Sequence, residues 1–203
     1  MKNFTELLRI ADQLLGPNGC SWDKEQTFFT LQPYLLEEVH ELLEAIDSLD
    51  PEKMADELGD VLYALVFIAK IGELKGLFTI QKSMTMVCEK LIRRHPHVFG
   101  DVKVSSNEEI VENWEAIKKK EKTHETRKNL FDGIPASLPT LPRAQKMARK
   151  ISRKVGGGVK EGMTEEQLGE RIWELVQKGE TEGIDAESAL RRHLSRVEAG
   201  SKA

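Results

Sequence analysis

Residues 34–67 read YLLEEVHELLEAIDSLDPEKMADELGDVLYALVF, and this stretch decides the fold class. Apolar side chains recur every three or four residues on both sides of Asp50-Pro51, which is the spacing of amphipathic helices. Pro51 lacks the amide hydrogen that a helix interior needs, so it ends one helix and suits the first turn of the next. The stretch therefore predicts two consecutive helices, over about residues 31–48 and 51–74.

The same periodicity extends over the first 125 residues, and strand signals are scarce. A first helix ends at Gly16-Pro17 and carries apolar residues at helical spacing: Phe4, Leu7, Leu8, Ala11, Leu14 and Leu15. Further helices are expected over about residues 79–94 and 107–122, the latter opening with Ser106 and Glu109 at capping-box spacing. Residues 1–125 are therefore predicted to form an all-α helical bundle.

Composition places the chain among globular proteins. It has 203 residues, of which 39% are hydrophobic and 32% charged, enough to bury a core. No apolar run approaches the roughly 20 residues of a membrane span, and Cys20 and Cys88 lack metal-site or disulfide spacing, so we expect a cytoplasmic protein. A net charge of -4 disfavours a nucleic-acid polymer as partner, and Lys118 to Lys120 suit a solvated helix end.

Acidic residues cluster on the two central helices. Five of them flank apolar surface: Glu37, Glu38 and Glu41 on the first, and Glu57 and Asp60 on the second. Lys53 lies one turn before Glu57 on the same side. A solvated face of an amphipathic helix is one explanation, but the second helix is almost continuously apolar after Asp60, so its acids lie near a buried boundary. Carboxylates in that setting need a positive partner, and an all-oxygen ligand set suits Mg²⁺ or Mn²⁺.

Cationic and aromatic residues later in the chain suit a phosphate ligand. Lys90 and Arg94 are one helical turn apart, as are Trp114 and Lys118 on the next predicted helix. Such Lys and Arg pairs are also common on surfaces, and Trp114 could equally be a core residue. Together with the acids, they predict a site for a metal-bound polyphosphate with an indole available for stacking.

The chain resembles a known family over most of residues 5–122. Glu37-Glu38-x-x-Glu41, followed after 15 residues by Glu57-x-x-Asp60, is similar to the EExxE…ExxD pattern of MazG-type nucleoside triphosphate pyrophosphohydrolases, in the all-α NTP pyrophosphatase superfamily. Other segments resemble this family in the same order: CSWDKEQT, LQPYLLEE, DELGDVLYALVFIA, KLIRRHPHVFGDV and NWEAIKKKEK. Ser21, Phe28 and Phe29 depart from the usual pattern in a loop expected near the nucleotide, which leaves the base preference open.

The resemblance implies a site and a reaction. Glu38, Glu41, Glu57 and Asp60 would hold Mg²⁺ or Mn²⁺, and Glu37 would be an outer or water-activating carboxylate. The same resemblance assigns the triphosphate to Lys53, Lys90, Arg94 and Lys118, and the base and sugar to Trp22, Asp23 and Trp114. The implied protein is an all-α homodimer that hydrolyses NTPs and dNTPs to a nucleoside monophosphate and pyrophosphate, removing surplus or aberrant nucleotides.

Residues 126–203 are predicted to be a shortened second MazG-like repeat or a partly helical extension. The segment EEQLGERIWELVQ, from Glu165, is similar to DELGDVLYALVF, and this alignment places Gln167 at the position of Glu57 and Glu170 at that of Asp60. No EExxE pattern precedes it, because the intervening residues are basic and glycine-rich. The metal ligands would then be lost from this repeat.

Three other functions remain open from the residues alone. Di-iron carboxylate proteins use Glu-x-x-His pairs, and the chain contains Glu37-x-x-His40 and Glu121-x-x-His124, although His40 points about 100° away from Glu41 on an ideal helix. A helical interaction module without activity could retain the fold. A dUTP, dCTP or phosphoribosyl-ATP pyrophosphohydrolase would use similar carboxylates.

Overall fold

A computed structural model describes residues 2–121, 129–155 and 162–201, and every regular element in these ranges is helical. The helices are α1 (Lys2–Leu15), α2 (Ser21–Glu25), α3 (Leu31–Asp47), α4 (Pro51–Leu74), α5 (Ile80–Arg94), α6 (Pro96–Phe99), α7 (Asn107–Lys119), α8 (Thr140–Val155), α9 (Glu165–Thr181) and α10 (Ala186–Gly200). The all-α prediction is confirmed. In these ranges no helix is long and apolar enough to cross a membrane.

The chain divides into two compact units, Met1–Trp114 and Glu115–Ala203. In the first unit, α3 and α4 form a hairpin whose turn contains Leu49 at φ 53°. The side chain of Asp50 caps α4 by accepting hydrogen bonds from the amides of Glu52 and Lys53 at 3.1 and 3.2 Å. Pro51 occupies the first turn, as the sequence predicted.

The core of the first unit lies where α4 meets the start of α3. Leu31, Phe67 and Ile71 are buried together, and partly buried apolar side chains pack around them: Leu15, Phe28, Tyr63 and Ile68. Ala11 on α1 and Ala45 on α3 are completely buried, and their small side chains suit close helix approach. This packing holds the start of α3 against the second half of α4.

Lys70 ties three helices of the first unit together. Its Nζ atom lies 2.9 Å from Asp12 Oδ1 on α1 and 3.0 Å from Glu73 Oε2 on α4. Glu73 also accepts a hydrogen bond from the amide of Ile80 at the start of α5, at 3.0 Å. Lys70 is nearly buried, and although burial lowers its pKa, the hydrogen bonds and charges of both acids raise it overall.

Local structure differs from the sequence prediction at three points. The loop after α1 contains a short helix, α2, which five residues are too few to reveal by periodicity. Pro96 ends α5 as predicted but also begins the one-turn helix α6. At the start of α7, Ser106 Oγ accepts from the amide of Glu109, whereas the Glu109 carboxylate accepts from the amide and hydroxyl of Ser105 instead of the Ser106 amide.

Apolar side chains form exposed stripes on three helices of the first unit. Each of these residues is 40% to 60% exposed: Leu36, Leu43 and Ile46 on α3, Leu58, Leu62 and Leu65 on α4, and Met84, Val87 and Leu91 on α5. The almost continuous apolar sequence after Asp60 predicts that this part of α4 is surrounded by other helices. Within one chain it is covered only in part, chiefly at Val66, Phe67, Ala69 and Ile71.

The second unit has its own core. Phe131, Met147 and Leu194 are buried together, and Leu130, Ile134, Ala144, Leu190 and Val197 pack against them. Arg143 on α8 bonds Glu198 on α10 at 2.7 Å, and Thr140 hydrogen-bonds Glu187 on the same two helices. Residues 129–134 are held by the Lys150 ammonium, which donates to the carbonyls of Leu130 and Asp132 at 2.8 and 2.9 Å.

Candidate metal and nucleotide site

Three carboxylates from the central hairpin converge. Glu38 and Glu41 lie one turn apart on α3, and Glu57 faces them from α4. One carboxylate oxygen from each lies within 4.8 Å of the other two. Glu38 and Glu57 are partly buried, whereas Glu41 is exposed. Two helices thus present three like charges to one point.

The pKa values of two of these carboxyl groups are raised by their surroundings. Partial burial raises the pKa of Glu38 above its usual 4.5, and four neighbouring carboxylates raise it further: Asp60, Glu41, Glu57 and Glu37. Burial likewise raises the pKa of Glu57, with Glu41 as the next contributor, while the ammonium of Lys53 opposes the rise. Both side chains therefore lack sufficient compensating charge in the protein alone.

The donor set fits a hard divalent cation. It consists only of carboxylate oxygens, which Mg²⁺ and Mn²⁺ prefer, and three such ligands leave coordination positions for water and substrate oxygen. Asp60, one turn after Glu57, lies outside the group of three oxygens but acts on both Glu38 and Glu57 through its charge. Glu37 acts on Glu38 in the same way.

Trp114 on α7 contacts the end of α5. Its ring centroid is 4.8 Å from that of His95 in an edge-on arrangement, and the Arg94 guanidinium lies 5.3 Å from the indole. His95 Nδ1 in turn lies 2.7 Å from the carbonyl oxygen of Leu91. Arg94 and Trp114, two residues predicted to bind substrate, are thereby brought into contact. Lys90 is exposed one turn earlier on α5.

Comparison of the sequence with known protein families identifies the domain that carries this cluster. Residues 26–99 match the model of the MazG nucleotide pyrophosphohydrolase domain, a range that includes all five predicted carboxylates. This chain belongs to the MazG family. The MazG match therefore covers α3 to α6, and the acid cluster is carried by α3 and α4.

Curated relatives and a solved structure agree with the MazG assignment. The chain is 43% identical over 148 residues to the nucleoside triphosphate pyrophosphohydrolase of Escherichia coli K12, covering 72% of this chain and 56% of that protein. It is 50% identical over 119 residues to the nucleoside triphosphate pyrophosphohydrolase/pyrophosphatase MazG of Thermotoga maritima, covering 59% and 45%. The crystal structure of a mazG-related protein from Thermotoga maritima superposes with a TM-score of 0.51 at 29% identity, covering 57% of this chain and 99% of that one.

An uncharacterised Bacillus subtilis protein, YabN, is 48% identical over 144 residues, covering 71% of this chain and 29% of that protein. The chain thus spans 29% to 56% of the length of these three curated relatives. The names of these relatives therefore describe proteins that are longer than the segment matched here.

The loop before α3 of the MazG domain carries the other predicted nucleotide residues. Trp22 is 50% exposed and packs edge-on against Tyr34, with ring centroids 5.7 Å apart, whereas Asp23 is only 7% exposed. Phe28 stacks on Phe78 at 6.3 Å and belongs to the core, while Phe29 is 79% exposed. Of the two phenylalanines that depart from the family pattern, one is structural and the other faces solvent.

Lys118 lies one turn after Trp114 on α7 and belongs to the second unit. The sequence did not predict the contacts that Glu115 makes there with Lys118 and Arg153. Lys118 Nζ is 3.8 Å from Glu115 Oε1, and the same oxygen accepts a hydrogen bond from Arg153 on α8 at 2.8 Å. Glu115 and Arg153 are 38 positions apart in the sequence, so no local spacing could have revealed this ion pair.

Among the described residues, no side chain of the tail and no histidine belongs to the group of three carboxylates. Gln167, aligned with Glu57, caps α9 by accepting from the amide of Thr164 at 3.0 Å. His40 is exposed on α3 and is not in the group of three. His124, required by the di-iron alternative, lies outside the described residues. Among the described residues, the grouping of three metal-ligating side chains is the Glu38, Glu41 and Glu57 cluster.

Proposed function

We propose that this chain is a nucleoside triphosphate pyrophosphohydrolase that requires a divalent cation, Mg²⁺ with Mn²⁺ as an alternative. The observation that carries the proposal is the convergence of three carboxylate oxygens from α3 and α4 within 4.8 Å of one another. Membership of the MazG family, and relatives named for this activity, support the same reaction.

The acidic side chains would hold the cation and position water. Glu38, Glu41 and Glu57 are the ligands, with Asp60 as a fourth carboxylate whose charge already acts on two of them. The cation, when bound, neutralises phosphate charge and makes water easier to deprotonate. Glu37 lies beside the cluster and would accept the water's proton. The water oxygen bonds to the α-phosphorus, the bridge to the β-phosphate breaks, and pyrophosphate leaves.

The cationic side chains would bind the triphosphate, and the aromatic ones the nucleoside. We assign the phosphates to Lys53, Lys90, Arg94 and Lys118, and the base and sugar to Trp22, Asp23 and Trp114. Lys53 already acts electrostatically on Glu57, which supports its place beside the metal. Arg94 lies against Trp114, so one contact would link phosphate and base recognition.

We further propose that the MazG domain works as a homodimer. The exposed apolar stripes on α3, α4 and α5 support this, because contiguous apolar surface of this kind commonly marks an interface. Sedimentation over a range of concentrations should give a dimer, and Met84→Glu within the α5 stripe should shift it toward monomer. Leu77→Glu, at a more exposed apolar position outside the stripes, is the control and should leave the dimer intact.

We propose that residues 1–125 form the catalytic domain. Residues 126–203, which follow it in the sequence, are proposed to be a shortened MazG-like repeat that has lost its metal ligands. The use of Gln167 as a helix cap supports this, since its side chain is then occupied at the position where the first repeat has Glu57. The second unit would act through packing and surface contacts and would not bind a metal.

One assay tests the proposed activity. Purified protein should be incubated with each of the common NTPs and dNTPs, with Mg²⁺ and with a chelator, and pyrophosphate should be resolved from orthophosphate. We expect pyrophosphate and the nucleoside monophosphate only when the cation is present. Orthophosphate would indicate a different NTPase, and absence of turnover with every substrate would indicate a helical interaction module.

A further inference from the structure

Two tyrosines lie on the central hairpin next to the acidic residues. Tyr34 lies four residues before Glu38 on α3, and Tyr63 lies three residues after Asp60 on α4. These spacings place each tyrosine about one helical turn from an acid and on the same side of its helix. Because α3 and α4 run antiparallel in the hairpin, both tyrosines lie on the side of the acids that is away from the turn at Leu49.

Helix α2 contacts this part of the hairpin through two of its residues. Trp22 packs edge-on against Tyr34, with ring centroids 5.7 Å apart. Asp23 and Tyr63 interact through charge: the pKa of the Tyr63 hydroxyl is raised first by partial burial, then by the Asp23 carboxylate and then by Cys20. Since one helical turn is about 5.4 Å, a nucleoside whose triphosphate is bound at the acids would reach α2 and the two tyrosines.

The Asp23 carboxylate is buried without a partner. Asp23 is only 7% exposed, yet in the part of the chain that the structure describes its side chain has no hydrogen bond or ion pair, and the Tyr63 hydroxyl has no hydrogen bond. Neither group is among the fully enclosed polar atoms of the described residues, so neither is sealed from solvent. A largely desolvated carboxylate without a donor is unfavourable, and a ligand that supplies the donor relieves this cost.

We infer that Asp23 and Tyr63 form a subsite that recognises a hydrogen-bond donor of the nucleoside, a sugar hydroxyl or a base N–H, and that Tyr63 is a specificity-determining residue. This inference rests on the proposed function, which places the nucleoside beside Trp22 and Asp23. An ionised carboxylate only accepts hydrogen bonds, whereas a tyrosine hydroxyl both donates and accepts. One substrate group between them can therefore donate to Asp23 and bond to Tyr63 at the same time.

The core of the first unit holds the Tyr63 ring in place. Its centroid is 5.6 Å from that of Phe67, and the ring packs against the buried cluster that Phe67 forms with Leu31 and Ile71. The position of the hydroxyl is thus set by packing. A substrate without the donor would leave the carboxylate unpaired, and a site built around a hydrogen bond rejects such an analogue strongly.

The test begins with variants that each change one polar group. Asp23→Asn replaces the carboxylate with an amide of the same shape, and Tyr63→Phe removes only the hydroxyl and keeps the ring. With ATP and Mg²⁺, Asp23→Asn should raise KM by about 10- to 100-fold, the range for a hydrogen bond to a charged group, and Tyr63→Phe by about 2- to 10-fold, the range for a neutral one. Circular dichroism should show wild-type helicity in both.

Inorganic tripolyphosphate separates recognition of the nucleoside from a general disturbance of the site. It carries no nucleoside, so its inhibition constant should be the same in wild type, Asp23→Asn and Tyr63→Phe. Asp101→Asn is the matched control, because Asp101 is an exposed acid of the first unit outside the carboxylate group, and its KM for ATP should stay at the wild-type value.

Substrate analogues identify the donor. The rise in KM caused by Asp23→Asn should disappear either with 2′-deoxy- or 2′,3′-dideoxy-ATP, which assigns a sugar hydroxyl, or with purine riboside triphosphate, which lacks the base amino group. The inference is overturned if the rise persists with every analogue, if either variant has normal KM for ATP, or if tripolyphosphate inhibition weakens equally. Pyrophosphate release by the wild type would then leave the proposed activity standing. A wild type that neither hydrolyses nor binds triphosphates would overturn both.

Discussion

The carboxylates of Glu38 on α3 and Glu57 on α4 belong to a group whose oxygens lie within 4.8 Å of one another, although the two side chains come from different helices. Both have a raised pKa, since partial burial and neighbouring acids oppose their ionisation. The metal-free protein is therefore held in an electrostatically unfavourable arrangement that a divalent cation would relieve.

Cation binding should stabilise the fold. At a concentration about 100 times the dissociation constant, Mg²⁺ should add about 2.7 kcal/mol to the free energy of unfolding, or roughly 5 to 10 °C in Tm. Differential scanning fluorimetry with Mg²⁺ and with a chelator measures this shift. Glu57→Gln should lose most of it, whereas Glu89→Gln on α5, an exposed acid outside the cluster, should keep it. An equal shift in both variants would contradict the site.

The cluster should also impose a pH dependence on the metal-free protein. A carboxyl whose pKa is raised in the folded state binds protons more tightly there than in the unfolded chain. The destabilisation from Glu38 is therefore fully present above its raised pKa and is relieved as pH falls through that value toward 4.5. In chelator, Glu38→Gln should be more stable than wild type at neutral pH, and the difference should shrink as pH approaches 4.5. A difference independent of pH would rule out this cause.

Turnover should depend on the acids individually. Glu41→Gln and Asp60→Asn should each reduce kcat by more than about 100-fold, because removing a metal ligand costs at least as much as removing a residue that supports one. Circular dichroism should show wild-type helicity, since Glu41 and Asp60 are exposed and leave the core intact. Near-normal activity in either variant would remove that residue from the metal site.

Gly72 tests the packing of the first unit. A Cβ atom at this buried position would lie 2.7 Å from the ring of Phe78, which itself stacks on Phe28. Gly72→Ala should therefore destabilise the protein by about 1 to 3 kcal/mol through overpacking. Gly169→Ala is the control, because that helical position on α9 is open, and it should stabilise by about 0.5 to 1 kcal/mol. Chemical denaturation compares the two, and a loss of similar size in both would contradict the packing account.

Local sequence signals accounted for most of the fold. Asp50-Pro51 predicted the break between α3 and α4, and Gly16-Pro17 the end of α1, because proline and capping residues act through their own backbone. The one-turn helices α2 and α6 were not predicted, since too few residues are present to show a period.

The candidate site was only partly predictable. Periodicity placed Glu38, Glu41 and Glu57 on facing sides of two helices, and their oxygens do converge. It could not show that Asp60 lies outside the group of three, because that depends on how each side chain is directed. The contact of Arg153 with Glu115 depends on the packing of α8, which no local pattern encodes.

The most direct test of the central claim is the position of attack. Hydrolysis of a triphosphate in water enriched in oxygen-18, with Mg²⁺ present, should be followed by mass spectrometry of both products. Attack on the α-phosphorus predicts one labelled oxygen in the nucleoside monophosphate and none in pyrophosphate. Label in pyrophosphate, release of orthophosphate, or equal turnover in chelator would contradict a metal-dependent pyrophosphohydrolase built on the Glu38, Glu41 and Glu57 cluster.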